Sequence, residues 1–524
     1  MKNSVAIFIL FIMTFSGAVM ARETAIIPVI PYPMNLELLD GRFTITSQTE
    51  IIVSPETRPI GQYFSRLLAP AMGFDIQVKE YPRTEKKTGC IILDLIEDTT
   101  GLGPEGYKLT VLDDRIVAGA PSLAGVFYAC QTICQLLPPA IEKSEKVPNT
   151  AWAVPGVKIE DRPRFPWRGF MIDCSRTFQS MEYLKRFIDL LALYKLNVFH
   201  LHLTDDQGWR VEIKKYPRLT EFGSKFAPRY NQQGGYYSQD ELRKLIRYAA
   251  ERKVTIVPEI EMPGHCLAAL ASYPDLSCFG KQFEIYPFFQ GPNIQENVFC
   301  AGKESTFEFL ENVLDEVVEL FPSDYVHIGG DEVPKIVWKK CPKCQARIKA
   351  EGLRNENELQ SYFVRRIEKF LKTKNKRLVG WDEIIEGGLA PEAAVMSWRG
   401  MEGGITAAGQ GHDVIMSPTS HCYLDYEHDK ISVEKAYSFD PIPRELPAGK
   451  RKHILGLQGN MWTHIATNED AVDRQVFPRQ IALAEVAWSP ADRRNWKSFS
   501  ERLKTHFSRL EARGVKYFSD EPGK

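Results

Sequence analysis

The stretch Tyr325-Val326-His327-Ile328-Gly329-Gly330-Asp331-Glu332 decides how the rest of the chain is read. A short apolar run stops at two glycines and delivers two adjacent carboxylates. Buried strands of parallel sheets read as brief apolar runs of this kind. The glycines free the backbone to turn and let another group come close. Two carboxylates at the end of a buried strand are costly to desolvate unless they find partners or do chemistry. Taken alone, an Asp-Glu pair reads more readily as a solvated acidic turn, so the surrounding pattern has to decide.

That pattern repeats on both sides. Strand-like runs recur at 169–173, 197–203, 254–260, 325–328, 377–380, 394–397, 413–416 and 453–457, most of them with a helical segment between. Strand alternating with helix argues for a parallel sheet, and eight such units over about 350 residues argue for a (β/α)8 barrel with long loops. The expected fold is therefore α/β, a TIM barrel over 161–515. A proline-containing joint, Asp161-Arg162-Pro163-Arg164-Phe165-Pro166, separates it from residues 22–160. That earlier region reads as a small α+β accessory domain. Its strand-like runs are 43–45, 50–53, 74–78, 91–95 and 107–111. Leu123, Val126, Phe127, Cys130, Ile133, Cys134 and Leu137 recur at helical spacing until Pro138-Pro139 stops them.

Residues 1–21 are of another kind. Lys2, the apolar run Val5 to Phe15 and the small-residue end at Ala21 read as a secretory signal peptide. The expected mature protein is exported, and no later run is long enough to span a bilayer. The 524 residues carry a net charge of −1, with 44% hydrophobic and 25% charged side chains. That balance gives no sign of a nucleic-acid partner or of membrane insertion, and it leaves the oligomeric state open. Ten cysteines in so long a chain do not make a disulfide scaffold. Cys90, Cys130, Cys134, Cys174, Cys266 and Cys422 read as buried thiols. Cys341-Pro-Lys-Cys344 has metal-ligand spacing but no second pair of suitable spacing, which favours a local disulfide or two free thiols over zinc. Cys278 and Cys300 read as a loop bridge. No cofactor and no metal are expected.

A (β/α)8 barrel places its active site at the C-terminal strand ends. Those ends carry Asp173-Cys-Ser-Arg176, Thr204-Asp205-Asp206-Gln-Gly-Trp209, Glu259-Ile-Glu261-Met-Pro-Gly-His265, the Asp331-Glu332 pair, Trp381-Asp382-Glu383, Trp398-Arg399, Tyr423-Leu-Asp425 and Trp462-Thr-His464. Acids, Arg, two His, four Trp and a Tyr on one rim describe a sugar pocket. Pyranose C–H faces pack on indole rings, and acids and Arg take the hydroxyls. Cleaving a glycosidic bond needs a proton donor at the leaving oxygen and something to stabilise an oxocarbenium-like centre. Glu332 fits the donor, with burial and the charge of Asp331 expected to raise its pKa toward neutrality.

The order of these motifs resembles the family 20 glycoside hydrolases, the exo-β-N-acetylhexosaminidases. The matching stretches are Arg176, His202-Leu-Thr-Asp205-Asp206-Gln-Gly-Trp209-Arg210, Glu261-Met-Pro-Gly-His265, His327-Ile-Gly-Gly-Asp331-Glu332, Gly380-Trp381-Asp382-Glu383, Ser397-Trp398-Arg399-Gly400 and Tyr423-Leu-Asp425. The resemblance implies substrate-assisted retention, an exception to the two-carboxylate scheme. In it the substrate's acetamido oxygen attacks the anomeric carbon, giving an oxazolinium-like intermediate. It further implies that Asp331 orients the acetamido N–H, that Glu332 is the acid and base, and that Tyr423 donates to the acetamido oxygen. By the same resemblance Trp381, Trp398 and Trp462 wall the pocket, Arg176 and Asp425 hold hydroxyls, and Asp205 with His265 tunes the acid.

One position departs. The family usually has Trp-x-Glu after the eighth strand, and here the stretch is Trp462-Thr463-His464. Imidazole in place of carboxylate removes an anion and supplies a donor. That exchange suggests acceptance of 6-O-sulfated N-acetylglucosaminides. Other readings are a metal-dependent barrel hydrolase using His200, His202, His265 and Asp331, a non-catalytic glycan-binding barrel, and a disaccharide-releasing relative such as lacto-N-biosidase.

Overall fold

The computed structural model describes residues 26–80, 88–98, 101–290, 296–519. The leader expected at 1–21 lies outside them. The first region builds a seven-stranded mixed sheet in the order β1-β7-β5-β6-β4-β2-β3. Its strands are β1 (Asn35–Ile45), β2 (Glu50–Val53), β3 (Gln77–Glu80), β4 (Cys90–Leu95), β5 (Tyr107–Val111), β6 (Arg115–Ala120) and β7 (Trp152–Asp161). Helices α1 (Arg58–Met72) and α2 (Leu123–Leu136) pack on it, α2 with almost every side chain buried. The sequence pattern passes over β6 and β7. β7 carries Pro155 and Gly156, which break a strand pattern. A bulge in β1 between Leu38 and Arg42 accommodates them. A Cβ on Gly156 would lie 2.8 Å from the Asp40 carbonyl oxygen, so the bulge leaves no room for a side chain.

The second region closes into a barrel of eight parallel strands, each paired with its sequence neighbour and the last with the first. In order they are Trp167–Asp173, Val198–His202, Thr255–Glu259, Tyr325–His327, Arg377–Trp381, Ala394–Ser397, Val414–Met416 and Ile454–Met461. They coincide with the runs read from sequence to within a few residues. Toward one end Trp167, Val198, Val257, Val379, Ala394, Met396 and Ile415 form an apolar plug. Toward the other, His202 pairs in register with Asp173 and with Glu259, and Glu259 with His327. The barrel interior therefore changes from apolar to ionisable along its axis, and the ionisable layer lies directly beneath the C-terminal mouth.

The two regions are joined through buried polar groups. Lys195 Nζ donates to Asp161 (3.1 Å) and to the Tyr107 hydroxyl (2.8 Å), and Trp488 Nε1 donates to both Asp161 oxygens. Arg168 makes a bidentate pair with Glu105. Among the described residues no helix is long and apolar enough to cross a membrane. Cys90, Cys130, Cys134, Cys174, Cys266 and Cys422 are buried free thiols. Cys278 and Cys300 do not form the expected loop bridge; both are free and lie beside Cys341 and Cys344.

Candidate active site

The site is built on a buried acid. Glu259 accepts from His202 Nδ1 (2.6 Å) and Trp381 Nε1 (2.9 Å), and lies 3.0 Å from His200 Nε2 and 2.7 Å from His327 Nδ1. Burial works to raise its pKa, but the imidazoles of His327, His202 and His200 outweigh that and hold the carboxyl well below its usual range. Glu259 thus fixes the Trp381 indole from below and orients His202. Burial opposes charge on His202, yet Glu259 and Asp205 carry it up to about 10. His202 Nε2 contacts Asp205 (2.7 Å), and Asp205 also takes Arg176 Nη2 (2.7 Å) and His265 Nδ1 (3.2 Å). The far nitrogen of His265 lies 3.6 Å from Asp331 and 3.4 Å from Glu332. A continuous line of ionisable groups runs from the barrel core to the acid pair.

The pair itself divides. Asp331 is 9% exposed, and burial pushes its pKa up to about 6 against the pull of His265. The Glu332 side chain is 61% exposed, and its bond to His265 lowers its pKa. This corrects the expectation that burial and Asp331 raise Glu332 in the free protein. The cause is local. Glu332 and His265 both adopt left-handed backbone (φ 45° and 47°), which turns the Glu332 side chain outward while Asp331 points in. Gly329, at φ 67°, has its own reason: a Cβ there would overlap Glu261, at 1.7 Å from Oε2. Glu261 is buried, neither of its oxygens has a hydrogen-bond partner among the described residues, and burial followed by the Asp331 charge pushes its pKa well up.

Aromatic rings wall the space above Asp331. Trp398 stacks on Tyr423 (centroids 6.0 Å, 23°), Trp381 lies 5.8 Å from Trp462, and Tyr423 closes the ring 6.4 Å from Trp462. Arg176 sits over Trp462 at 4.7 Å. Trp398 Nε1 donates to Glu383 (2.9 Å), whose pKa burial raises to about 8. Asp425 is buried and raised by burial to about 7. Oxygen Oδ1 of Asp331 and Oδ1 of Asp425 have no hydrogen-bond partner among the described residues. Buried acceptors of that kind suit donors brought by a ligand. His464 is half-buried at the outer edge, against Phe288 (4.8 Å) and Phe289 (6.0 Å).

All of the residues singled out in the sequence come to this mouth, except that Trp209 does not join the aromatic rim: it is buried and donates to the Val211 carbonyl. The imagined metal set is divided, with His200 and His202 directed at Glu259 and His265 at Asp205. Sequence reading placed Glu259 at a strand end but gave it no role, although His200 and His202 alternate on the neighbouring strand and His202 lies directly in register with it. It also missed Arg479, which donates to the carbonyls of Leu424, Tyr426 and Ile431 and so holds the Tyr423–Asp425 loop.

Residues 165–491 match the family model "Glycosyl hydrolase family 20, catalytic domain", and residues 27–162 match its "domain 2". The chain belongs to glycosyl hydrolase family 20. A beta-hexosaminidase of Porphyromonas gingivalis is 43% identical over 95% of this chain, which spans 65% of that relative's length. Among solved structures, the family 20 β-N-acetylhexosaminidase of Streptomyces coelicolor superposes with a TM-score of 0.83 at 34% identity, covering 95% of this chain and 99% of the other. A family 20 exo-β-N-acetylglucosaminidase of Vibrio harveyi, in complex with N-acetylglucosamine, gives 0.83 at 35% identity over 95% and 79%. The barrel preceded by an α/β domain is the architecture these family 20 proteins share with it.

Proposed function

We propose that this family 20 β-N-acetylhexosaminidase removes terminal β-linked N-acetylglucosamine or N-acetylgalactosamine by substrate-assisted hydrolysis with retention. One observation carries the reading: two adjacent acids lie in different environments and are joined by one imidazole. The acetamido group enters the aromatic box of Trp381, Trp398, Tyr423 and Trp462. Its oxygen accepts from the Tyr423 hydroxyl and attacks the anomeric carbon, while the N–H donates to Asp331. Positive charge growing on the acetamido group meets a buried carboxylate, where electrostatic stabilisation is strong. Glu332 protonates the leaving oxygen, and the arriving sugar buries it, which raises its pKa for that task. It then takes a proton from the water that opens the oxazolinium ring. His265 and Asp205 act through Glu332 as positioning residues, and Arg176 and Asp425 bind hydroxyls. The leader-like residues 1–21 support export to where glycans are met.

The nucleophile in this scheme is the substrate's own carbonyl oxygen. Aryl glycosides with one, two or three fluorines on the N-acetyl methyl should therefore lose kcat/KM stepwise as that oxygen weakens. We expect a fall of about 10²-fold or more across the series. A flat series would overturn substrate assistance and leave a protein nucleophile.

His464 is proposed to set what is accepted at the far edge of the sugar, with 6-O-sulfated N-acetylglucosaminides among the substrates. Burial, then the Arg176 charge, lowers its pKa. At neutral pH it is thus a neutral donor, and it becomes cationic only on the acid side. A sulfate ester stays anionic throughout, so the ratio of sulfated to plain turnover should rise as pH falls below neutrality. His464→Glu should lower that ratio about tenfold or more by placing a like charge beside the sulfate. An unchanged ratio in the variant, measured on paired aryl glycosides, removes sulfate from the proposal.

A further inference from the structure

Four cysteines outside the sugar site come from three places in the sequence to one point. Cys278 follows the turn Pro274–Leu276, Cys300 precedes the helix Glu304–Leu320, and Cys341 and Cys344 begin the helix Pro342–Ala350. Their sulfurs all lie within 4.8 Å of one another. Cys278 is 3.8 Å from Cys344, Cys300 is 3.8 Å from Cys341, and Cys300 is 3.7 Å from Cys344. A disulfide would hold two sulfurs at about 2.05 Å. Four sulfurs at the corners of a tetrahedron, each about 2.3 Å from a central zinc ion, are about 3.8 Å apart along its edges. The three separations of 3.7–3.8 Å match those edges.

The backbone is shaped to bring them there. An antiparallel bridge, Ser277 to Phe299, sets the Cys278 and Cys300 segments side by side, and Cys300 N–H donates to the Leu276 carbonyl (2.9 Å). Gly302 lets this segment meet the other pair: a Cβ there would lie 2.3 Å from the Lys343 carbonyl carbon and 2.5 Å from Cys344 N. So close an approach has no room for any larger residue. The second pair that the sequence spacing did not reveal is thus assembled by the fold. Lys339, Lys340 and Lys343 flank Cys341 and Cys344 in the chain, which suits a centre of net negative charge, and Lys303 ties the Asp275 and Ser277 carbonyls beside it.

We propose that Cys278, Cys300, Cys341 and Cys344 bind one zinc ion as four thiolates in a closed structural site. Binding releases the thiol protons and involves no electron transfer. All four positions are protein ligands, so the ion has no open place for substrate and serves as a staple. What it staples is specific. The loop after the third barrel strand, which carries His265, reaches the site through Cys278 and Cys300. The loop after the fourth, which carries Asp331 and Glu332, reaches it through Cys341 and Cys344. Phe299 N–H donates to the Pro263 carbonyl (2.9 Å), and Trp338 Nε1 to the Phe299 carbonyl (2.9 Å), linking the staple to both loops.

The test is metal analysis of the full chain, purified without metal-affinity resin. About one zinc per chain is expected, with all ten cysteines titrating as thiols once the protein is denatured and the metal chelated. The single variant Cys344→Ser should lose the zinc and melt roughly 5 °C or more lower, whereas Cys90→Ser, at a buried thiol elsewhere, should keep the zinc. Growth with cobalt should give the intense visible bands of a tetrahedral cobalt thiolate in wild type and Cys90→Ser but not in Cys344→Ser. Wild-type protein that holds less than about a tenth of a zinc per chain overturns the site, as does a thiol count lowered by disulfides or a stoichiometric iron content.

Discussion

Asp331→Asn is expected to abolish most turnover while leaving the protein as stable as before, or more stable. Asn keeps the size of Asp and an oxygen that can accept the acetamido N–H, so the sugar still docks and KM changes little. What is lost is the negative charge beneath the acetamido group, and removing one such preorganised electrostatic contact costs about 10²–10³ in kcat. The stability side follows from linkage. Burial raises the Asp331 pKa to about 6, above that of an unfolded Asp. Folding therefore penalises its ionised form. That penalty is absent below the unfolded pKa, grows as pH rises, and is complete above about 6. Asn carries no such penalty, so at pH 7 the variant should gain on the order of 1–3 kcal/mol. At low pH the difference should vanish. In wild type kcat/KM should also fall as pH drops below about 6 and Asp331 takes up a proton, and the variant should lack that limb. Thermal melts at pH 7 and pH 4, run beside steady-state kinetics, check all of this. A variant that loses activity and melts markedly lower would give Asp331 a structural role instead.

The barrel was legible because its strands are buried on both faces and read as short, mainly apolar runs between helical segments. The rim was legible for a related reason: once the strands are located, whatever polar or aromatic residue follows each one has to lie at the mouth. The accessory sheet was less so, since β7 contains Pro155 and Gly156 and only the bulge in β1 makes room for them. Which acid of the pair is buried could not be read at all. That depends on the left-handed backbone of Glu332 and on His265, which arrives from another loop. The Cys278 and Cys300 segments likewise meet Cys341-Pro-Lys-Cys344 only through a non-local bridge and the close approach at Gly302. Long-range backbone geometry is common to these misses.

Glu332→Gln divides substrates by their leaving groups. A sugar aglycone departs as a poorly stabilised alkoxide unless it is protonated, so the variant should lose about 10²–10⁴ in kcat/KM on a disaccharide. A 4-nitrophenolate leaves without help, so attack by the acetamido oxygen should stay near the wild-type rate on the aryl glycoside. Hydrolysis of the intermediate still needs a base, which Gln cannot supply. The variant should therefore release a burst of nitrophenol followed by slow turnover, while wild type shows none. The pH profile offers a second separation. In the free protein the bond from His265 lowers the Glu332 pKa, and occupation of the pocket removes water from its exposed side chain and raises it. The basic limb of kcat on a disaccharide reports that raised value in wild type, and on the aryl glycoside the variant should keep the acid limb set by Asp331 but lose the basic one. The exposed side chain makes few contacts to lose, so Tm should hold. A uniform loss on both substrates, with no burst, would mean that the acid acting on the leaving oxygen is another group, and Glu383, raised to about 8 and held by Trp398, would be the next to replace.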